Sequence, residues 1–207
     1  VSWILNNDGI QPRSCQNLHV EHCFLKCNDD CVAVKTRRSF DMVSGNLLFR
    51  DLVLWNDRAG SAMEIGHTSQ GDLLHDVRFE NIQVIHCSGG VIHAYIIDHS
   101  TVERLSYENI YVEGSQGGCD FCFIVAPSYY TTDNERGRIR GIRVRHYFSE
   151  HPHLPGAVKG FDAGHKVEDL TFEDIHFRCG TTKQFCADRL CWWENEFTEN
   201  ITVIKGN

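Results

Sequence analysis

A parallel β-solenoid with about 28–31 residues per coil is predicted for this all-β chain of 207 residues by three observations. A short phrase recurs along the chain, two apolar strand segments accompany each copy, and helical periodicity is almost absent. The phrase opens at Asn17 (Asn-Leu-His-Val-Glu-His-Cys), Asn46 (Asn-Leu-Leu-Phe-Arg-Asp-Leu) and Asp76 (Asp-Val-Arg-Phe-Glu-Asn-Ile), then at Arg104, Asp169 and, truncated, Asn200. Successive openings are 29, 30, 28, 65 and 31 residues apart, and a degenerate copy at Arg140 divides the long step into 36 and 29.

Each copy alternates apolar and polar residues, the period of a half-buried strand. A second strand is expected after each: Cys31 to Lys35, Ala62 to Gly66, Gly90 to Ile97, Cys119 to Val125 and Ala157 to Phe161. Inward side chains then stack on their counterparts one rung away, about 4.8 Å along the axis. The Asn or Asp that follows Glu in several copies is expected to turn the chain, because Asn tolerates left-handed backbone and bonds neighbouring amides. Ser128 to Arg136 reads as a long polar loop off one coil, where function often sits.

One domain is expected over 1–207, as the C-terminal part of a longer solenoid, because Val1-Ser-Trp-Ile-Leu already reads as a strand without a polar cap. Residues 180–199 break the repeat and are expected to be irregular, a possible cap for that end. The net charge of −8 argues against nucleic acid or an anionic membrane as partner. No stretch reaches the roughly 18 apolar residues of a membrane span.

Ten cysteines do not decide the compartment. Cys23, Cys27, Cys31 and Cys87 read as small core fillers. Cys186 with Cys191 is the expected disulfide. Cys119-x-x-Cys122 has zinc or redox spacing, but no second pair or paired His follows at ligand spacing, so neither metal nor organic cofactor is expected.

The chemistry sits in three aspartates: Asn6-Asn-Asp8-Gly-Ile, then Asn28-Asp29-Asp30-Cys-Val-Ala-Val. Clustered carboxylates are what hydrolysis of a glycosidic bond requires, one acid to protonate the leaving oxygen and one base to activate water. Asp8 lies about one short coil before Asp29, so the two can share adjacent rungs. Consecutive strand residues point to opposite faces, so Asp29 and Asp30 both reach solvent only if the chain bends there.

These motifs, with Ile65-Gly66-His67, resemble the NxD, DD and GH motifs of glycoside hydrolase family 28, the polygalacturonase family of inverting, right-handed β-helix enzymes. The resemblance implies Asp29 as general acid, Asp8 and Asp30 as holders of the attacking water, and His67 as a residue that tunes the acid or binds a sugar hydroxyl. It also implies an extracellular or periplasmic setting and a poly- or oligosaccharide substrate, without a cofactor. One family element is missing: where an Arg-x-Lys motif takes the uronate carboxylate, this chain has Gly90-Val-Ile-His93-Ala-Tyr95.

Leu54-Trp-Asn, Glu64-Ile-Gly and Val84-Ile-His are similar to family 49, whose enzymes act on neutral α-glucans, which makes Glu64 a further carboxylate candidate. Lys35, Glu64, His67, His93 and Tyr95 are the expected substrate contacts. Trp55, Tyr129 and Tyr130 are candidates for stacking on sugar rings, Arg37, Arg38 and Arg58 for the missing cation, and His99 and His165 for proximity to His67. A lyase or epimerase on the same fold, or a non-catalytic carbohydrate-binding β-helix, are the alternatives. Oligomeric state is left open.

Overall fold

Two parallel sheets carry the coils in the computed structural model, which describes residues 4, 6–38, 43–151, 154–178, 185–186 and 190–206, without the side chains of 185 and 186. The first sheet is built from β1 (Gln16–Cys27), β3 (Val43–Asn56), β5 (Leu73–His86), β7 (Thr101–Val112), β9 (Ile139–Ser149) and β11 (Val167–Arg178), each hydrogen-bonded to the next. The second takes the shorter β2 (Val32–Val34), β4 (Met63–Gly66), β6 (Ile92–Ile96), β8 (Phe121–Val125), β10 (Gly156–Lys159) and β13 (Trp192–Glu194). The chain alternates between the sheets, so each of these strands pairs with one about a coil away; helices are absent among the described residues.

Regular structure resumes inside 180–199. The antiparallel β12 (Phe185–Cys186) and the parallel β14 (Thr198–Ile204) both pair with β11, and β13 adds a rung to the second sheet. The expected Cys186–Cys191 disulfide lies outside the described residues, because the Cys186 side chain is among those not described.

The repeat phrase works through its backbone. Asn17, Asn46, Asp76, Arg104, Gly141, Asp169 and Asn200 all adopt left-handed φ between 51° and 68°, and a second column five residues on does the same: His22, Asp51, Asn81, Asn109, His146 and Asp174. Each long strand is therefore bent twice at matching heights. Asn, Asp and Gly dominate because left-handed backbone costs other L-residues roughly 1–2 kcal/mol. Stacked amides add a ladder, with Asn81 Nδ2 donating to Asp51 Oδ1 at 2.9 Å and Asn109 Nδ2 to Asn81 Oδ1 at 3.0 Å. The degenerate copy begins one residue later than expected, at Gly141, where glycine supplies the left-handed turn that Asn or Asp supplies elsewhere.

Asn81→Ala should cost roughly 1–3 kcal/mol, combining left-handed strain with the lost hydrogen bonds. The urea midpoint measures it, and Asn81→Gly should recover the part due to backbone strain.

Between the sheets, inward side chains repeat at matching register. Phe49, Phe79 and Tyr107 stack in one column, with centroids 4.9 and 5.1 Å apart and planes 15° and 3° from parallel. Cys27, Cys31 and Cys87 fill narrow places in this core, whereas Cys23 is only half-buried. The packing fixes one coil against the next, and the second sheet's outer face is left to carry a groove.

Candidate active site

Asp8 precedes β1 on a rung of its own. Ile10 bridges Val32 in parallel, and Gly9 N and Ile10 N donate to Asp30 O at 2.8 Å and Cys31 O at 2.9 Å. A side chain at position 9 would run into the Cys31 carbonyl at 2.5 Å, so only glycine lets the Asp8 segment lie this close to β2. Asp29 and Asp30 occupy the bend between β1 and β2, where the expected break in strand geometry is found. Asp30 N donates to Asp29 Oδ1 at 3.0 Å, and Ser61 N donates to Asp30 Oδ1 at 2.7 Å from the neighbouring rung.

The three carboxylates converge: one oxygen from each of Asp8, Asp29 and Asp30 lies within 4.8 Å of the others. This is tighter than the roughly 6.5–9.5 Å typical between the acid and base of an inverting pair, because neighbouring rungs of one sheet hold them. It still accommodates one water between two carboxylates, since two hydrogen bonds of about 2.7 Å reach that far.

An open groove of ≈ 380 Å³ lies over Asp29 and Asp30 and is lined also by Gly60, Ser61, Glu64, His67, Gly89, Gly90, His93 and Tyr95. Of the expected contacts, Glu64, His67, His93 and Tyr95 therefore meet in it. Glu64, His93 and Cys122 share one register position on β4, β6 and β8. His67 stacks on Tyr95 (5.6 Å, 18°) and receives the edge of Tyr130 (5.5 Å, 86°), which the polar loop brings across. Tyr129 on the same loop is almost fully exposed.

Other candidates lie elsewhere. Lys35 is buried with its Nζ 3.7 Å from Asp8 Oδ2, so it holds a carboxylate and does not line the groove. Gln11 Nε2 donates to the same Asp8 oxygen. Arg37, Arg38 and Arg58 are absent from the lining, and Arg38 pairs with Asp133 at 3.2 Å. His99 is taken by Asp133 and Asp72, His165 by Asp162, and the Trp55 ring lies under Lys26 Nζ at 4.0 Å on the first sheet.

No motif marks Ser61 or Gly60, yet both belong to the site. Ser61 Oγ touches both Glu64 Oε2 (3.1 Å) and His93 Nδ1 (2.9 Å). Gly60, at φ 72°, lies so close to the acids that a Cβ would come within 2.5 Å of Asp30 N and against Asp29 Oδ1. Their only signal in the sequence is a one-coil spacing from Asp30.

Burial, then the charge of Glu64, pushes the Asp30 carboxyl up to about 7, although the bond from Ser61 and the Lys35 charge pull the other way. Burial, then Asp8, raises Asp29 as well. His67 is lowered by burial, which favours its neutral ring. Burial alone would depress His93, but its contacts with Cys119 and Glu64 prevail and raise it to about 10. Cys119 falls to about 5, chiefly through the hydrogen bond from Cys122 and then through His93.

A carboxyl raised in the folded state binds protons that the unfolded chain has released, so its stabilising contribution is present below about pH 4 and lost as pH rises through about 7. Every tenfold difference in proton affinity between folded and unfolded chain is worth about 1.4 kcal/mol. Thermal melts of the wild type against Asp30→Asn should diverge by up to a few kcal/mol as pH rises across this window, the variant staying flatter. The comparison isolates Asp30, because His93 and Cys119 are common to both proteins.

Fold and site together define a parallel β-helix protein with an acid-lined groove on one sheet. The chain belongs to the glycosyl hydrolases family 28, whose family model matches residues 4–189. It is 33% identical to a "Probable polygalacturonase" of Vitis vinifera over 91 residues, 42% of this chain and 18% of the relative. It is 27% identical to a "Probable endopolygalacturonase D" of Neosartorya fischeri over 207 residues, 98% of this chain and 36% of the relative. A "Polygalacturonase" of Juniperus ashei is 24% identical over 190 residues, 88% of this chain and 31% of the relative. The chain thus spans 18–36% of the length of these curated relatives.

Proposed function

We propose that the protein hydrolyses glycosidic bonds of a poly- or oligosaccharide by single displacement with inversion, in an extracellular or periplasmic setting. The convergence of Asp8, Asp29 and Asp30 supports this reading most directly. Asp29 is half-buried at the groove floor and protonates the leaving oxygen, while Asp8 and the more buried Asp30 orient and deprotonate a water between them. The trio must keep one proton for the acid and lose the others for the base. Its retention of a proton near neutrality, expressed most strongly at Asp30, is a property of the cluster as a whole. Lys35 offsets part of the negative charge beside Asp8.

His67 and Tyr95 present ring faces and edges at the groove wall, with Tyr130 beside them, as recognition of a sugar's apolar face requires. The substrate is a neutral glycan or one charged differently from galacturonan. Three carboxylates line the groove, and His93 is the one lining residue raised toward a cation. A buried uronate needs a cationic partner. Val91 and Ile92, beside His93, are apolar and buried.

Two measurements test this. Proton NMR during turnover should show the anomer of opposite configuration appearing first, and net retention would remove the single displacement. Reducing-end assays should favour a neutral glucan over polygalacturonic acid; the opposite order would restore the substrate class named for the relatives.

A further inference from the structure

We propose that His93, Cys119 and Cys122 form a binding site for a borderline-soft divalent cation of the zinc class, at the edge of the groove and two to three rungs beyond the aspartates. The proposal does not depend on the hydrolase reading.

The three residues come together through rung stacking. His93 on β6 and Cys122 on β8 are register partners, and Cys119 lies two residues before β8. Cys119 Sγ is 3.4 Å from His93 Nε2, and one ligand atom from each residue lies within 4.8 Å of the other two. With metal–sulfur bonds of about 2.3 Å and metal–nitrogen bonds of about 2.0–2.1 Å, the S···N edge of a tetrahedral site is about 3.5 Å. The sulfur–nitrogen pair is thus already at ligand spacing. Two thiolates and an imidazole are a donor set that zinc-class ions accept, with one coordination position left over.

The surroundings of His93 match what a ligating imidazole requires. Its Nε2 faces the sulfur, and its Nδ1 faces Ser61 Oγ at 2.9 Å and Glu64 Oε2 at 3.6 Å. A carboxylate behind the far nitrogen orients a ligating histidine and raises its basicity. Glu64 Oε1 is buried without a hydrogen-bond partner among the described residues, leaving acceptor capacity at that position. The imidazole lies directly against the bare backbone of Gly90, where any Cβ would collide with Nε2 and Cε1. The thiols must lose their protons to ligate, so affinity should rise with pH.

Cobalt(II) titration of the reduced, chelator-treated chain tests the site. The expected result is one equivalent bound, with thiolate-to-cobalt charge transfer in the near ultraviolet and visible bands of tetrahedral cobalt, all displaced by zinc. Cys119→Ser and Cys122→Ser should each lose much of the charge-transfer band, and Glu64→Gln should weaken binding about 10–100-fold. Cys15→Ser should bind as the wild type does. In the wild-type chain, zinc should protect Cys119 and Cys122 from alkylation, read by peptide mass spectrometry, while Cys15 reacts unchanged; this arm requires no variant to fold. No charge-transfer band in the folded reduced chain would overturn the proposal. So would an undiminished band in the Cys119→Ser/Cys122→Ser double variant, or equal alkylation of both cysteines with and without zinc.

Discussion

Asp29→Asn is expected to lower kcat by roughly 10²–10⁴-fold, the usual contribution of a general acid, while the fold melts close to the wild-type temperature. The substitution is nearly isosteric, and its carbonyl can still accept the bond from Asp30 N that Asp29 Oδ1 accepts now. What it lacks is an acidic proton for the leaving oxygen. Size matters here, because Gly60 leaves no slack against this carboxyl. Steady-state kinetics paired with a thermal melt make the measurement, and activity within a fewfold of wild type would sink the assignment of Asp29 as acid.

Phe79→Ala should be the most damaging of single core substitutions, at about 3–5 kcal/mol. Phe79 is fully buried on β5 and stacks on Phe49 on one side and Tyr107 on the other. Deleting the ring empties one layer of a continuous column and removes two aromatic contacts, each worth about 0.5–1.5 kcal/mol beyond area. A midpoint shift equivalent to under about 1 kcal/mol in urea unfolding would show that the column does not hold neighbouring coils together.

The coils are legible in the sequence because each carries left-handed backbone at fixed places, and the short list of residues that tolerate it is visible as recurring Asn and Asp. The degenerate copy slips by one residue because Gly141 meets the same backbone demand without resembling Asn or Asp. The aspartate trio is legible for a related reason: its members lie in short phrases with their own turn residues. The place of Lys35 is not, because the motif reveals only that a cation follows the acids, and whether its chain runs along the groove or beneath it depends on the bend at β2. Gly60 and Ser61 act on Asp30 from 30 and 31 residues away. That proximity exists only once the register is set. His93 and Cys119 are likewise hidden partners, distant in the chain and adjacent across a rung.

The bridge between Ile10 and Val32 places Asp8 and Asp30 at matching positions on neighbouring rungs. The backbone interval behind two of the proposed reacting groups is therefore set by the sheet, close to the roughly 4.8 Å repeat of paired strands. Side-chain substitution can change what stands at either point, but not the interval between them. Inserting a whole coil between residues 10 and 32 would leave each motif intact and the groove floor continuous, yet move Asp8 one repeat farther from Asp30, beyond the span of a single water.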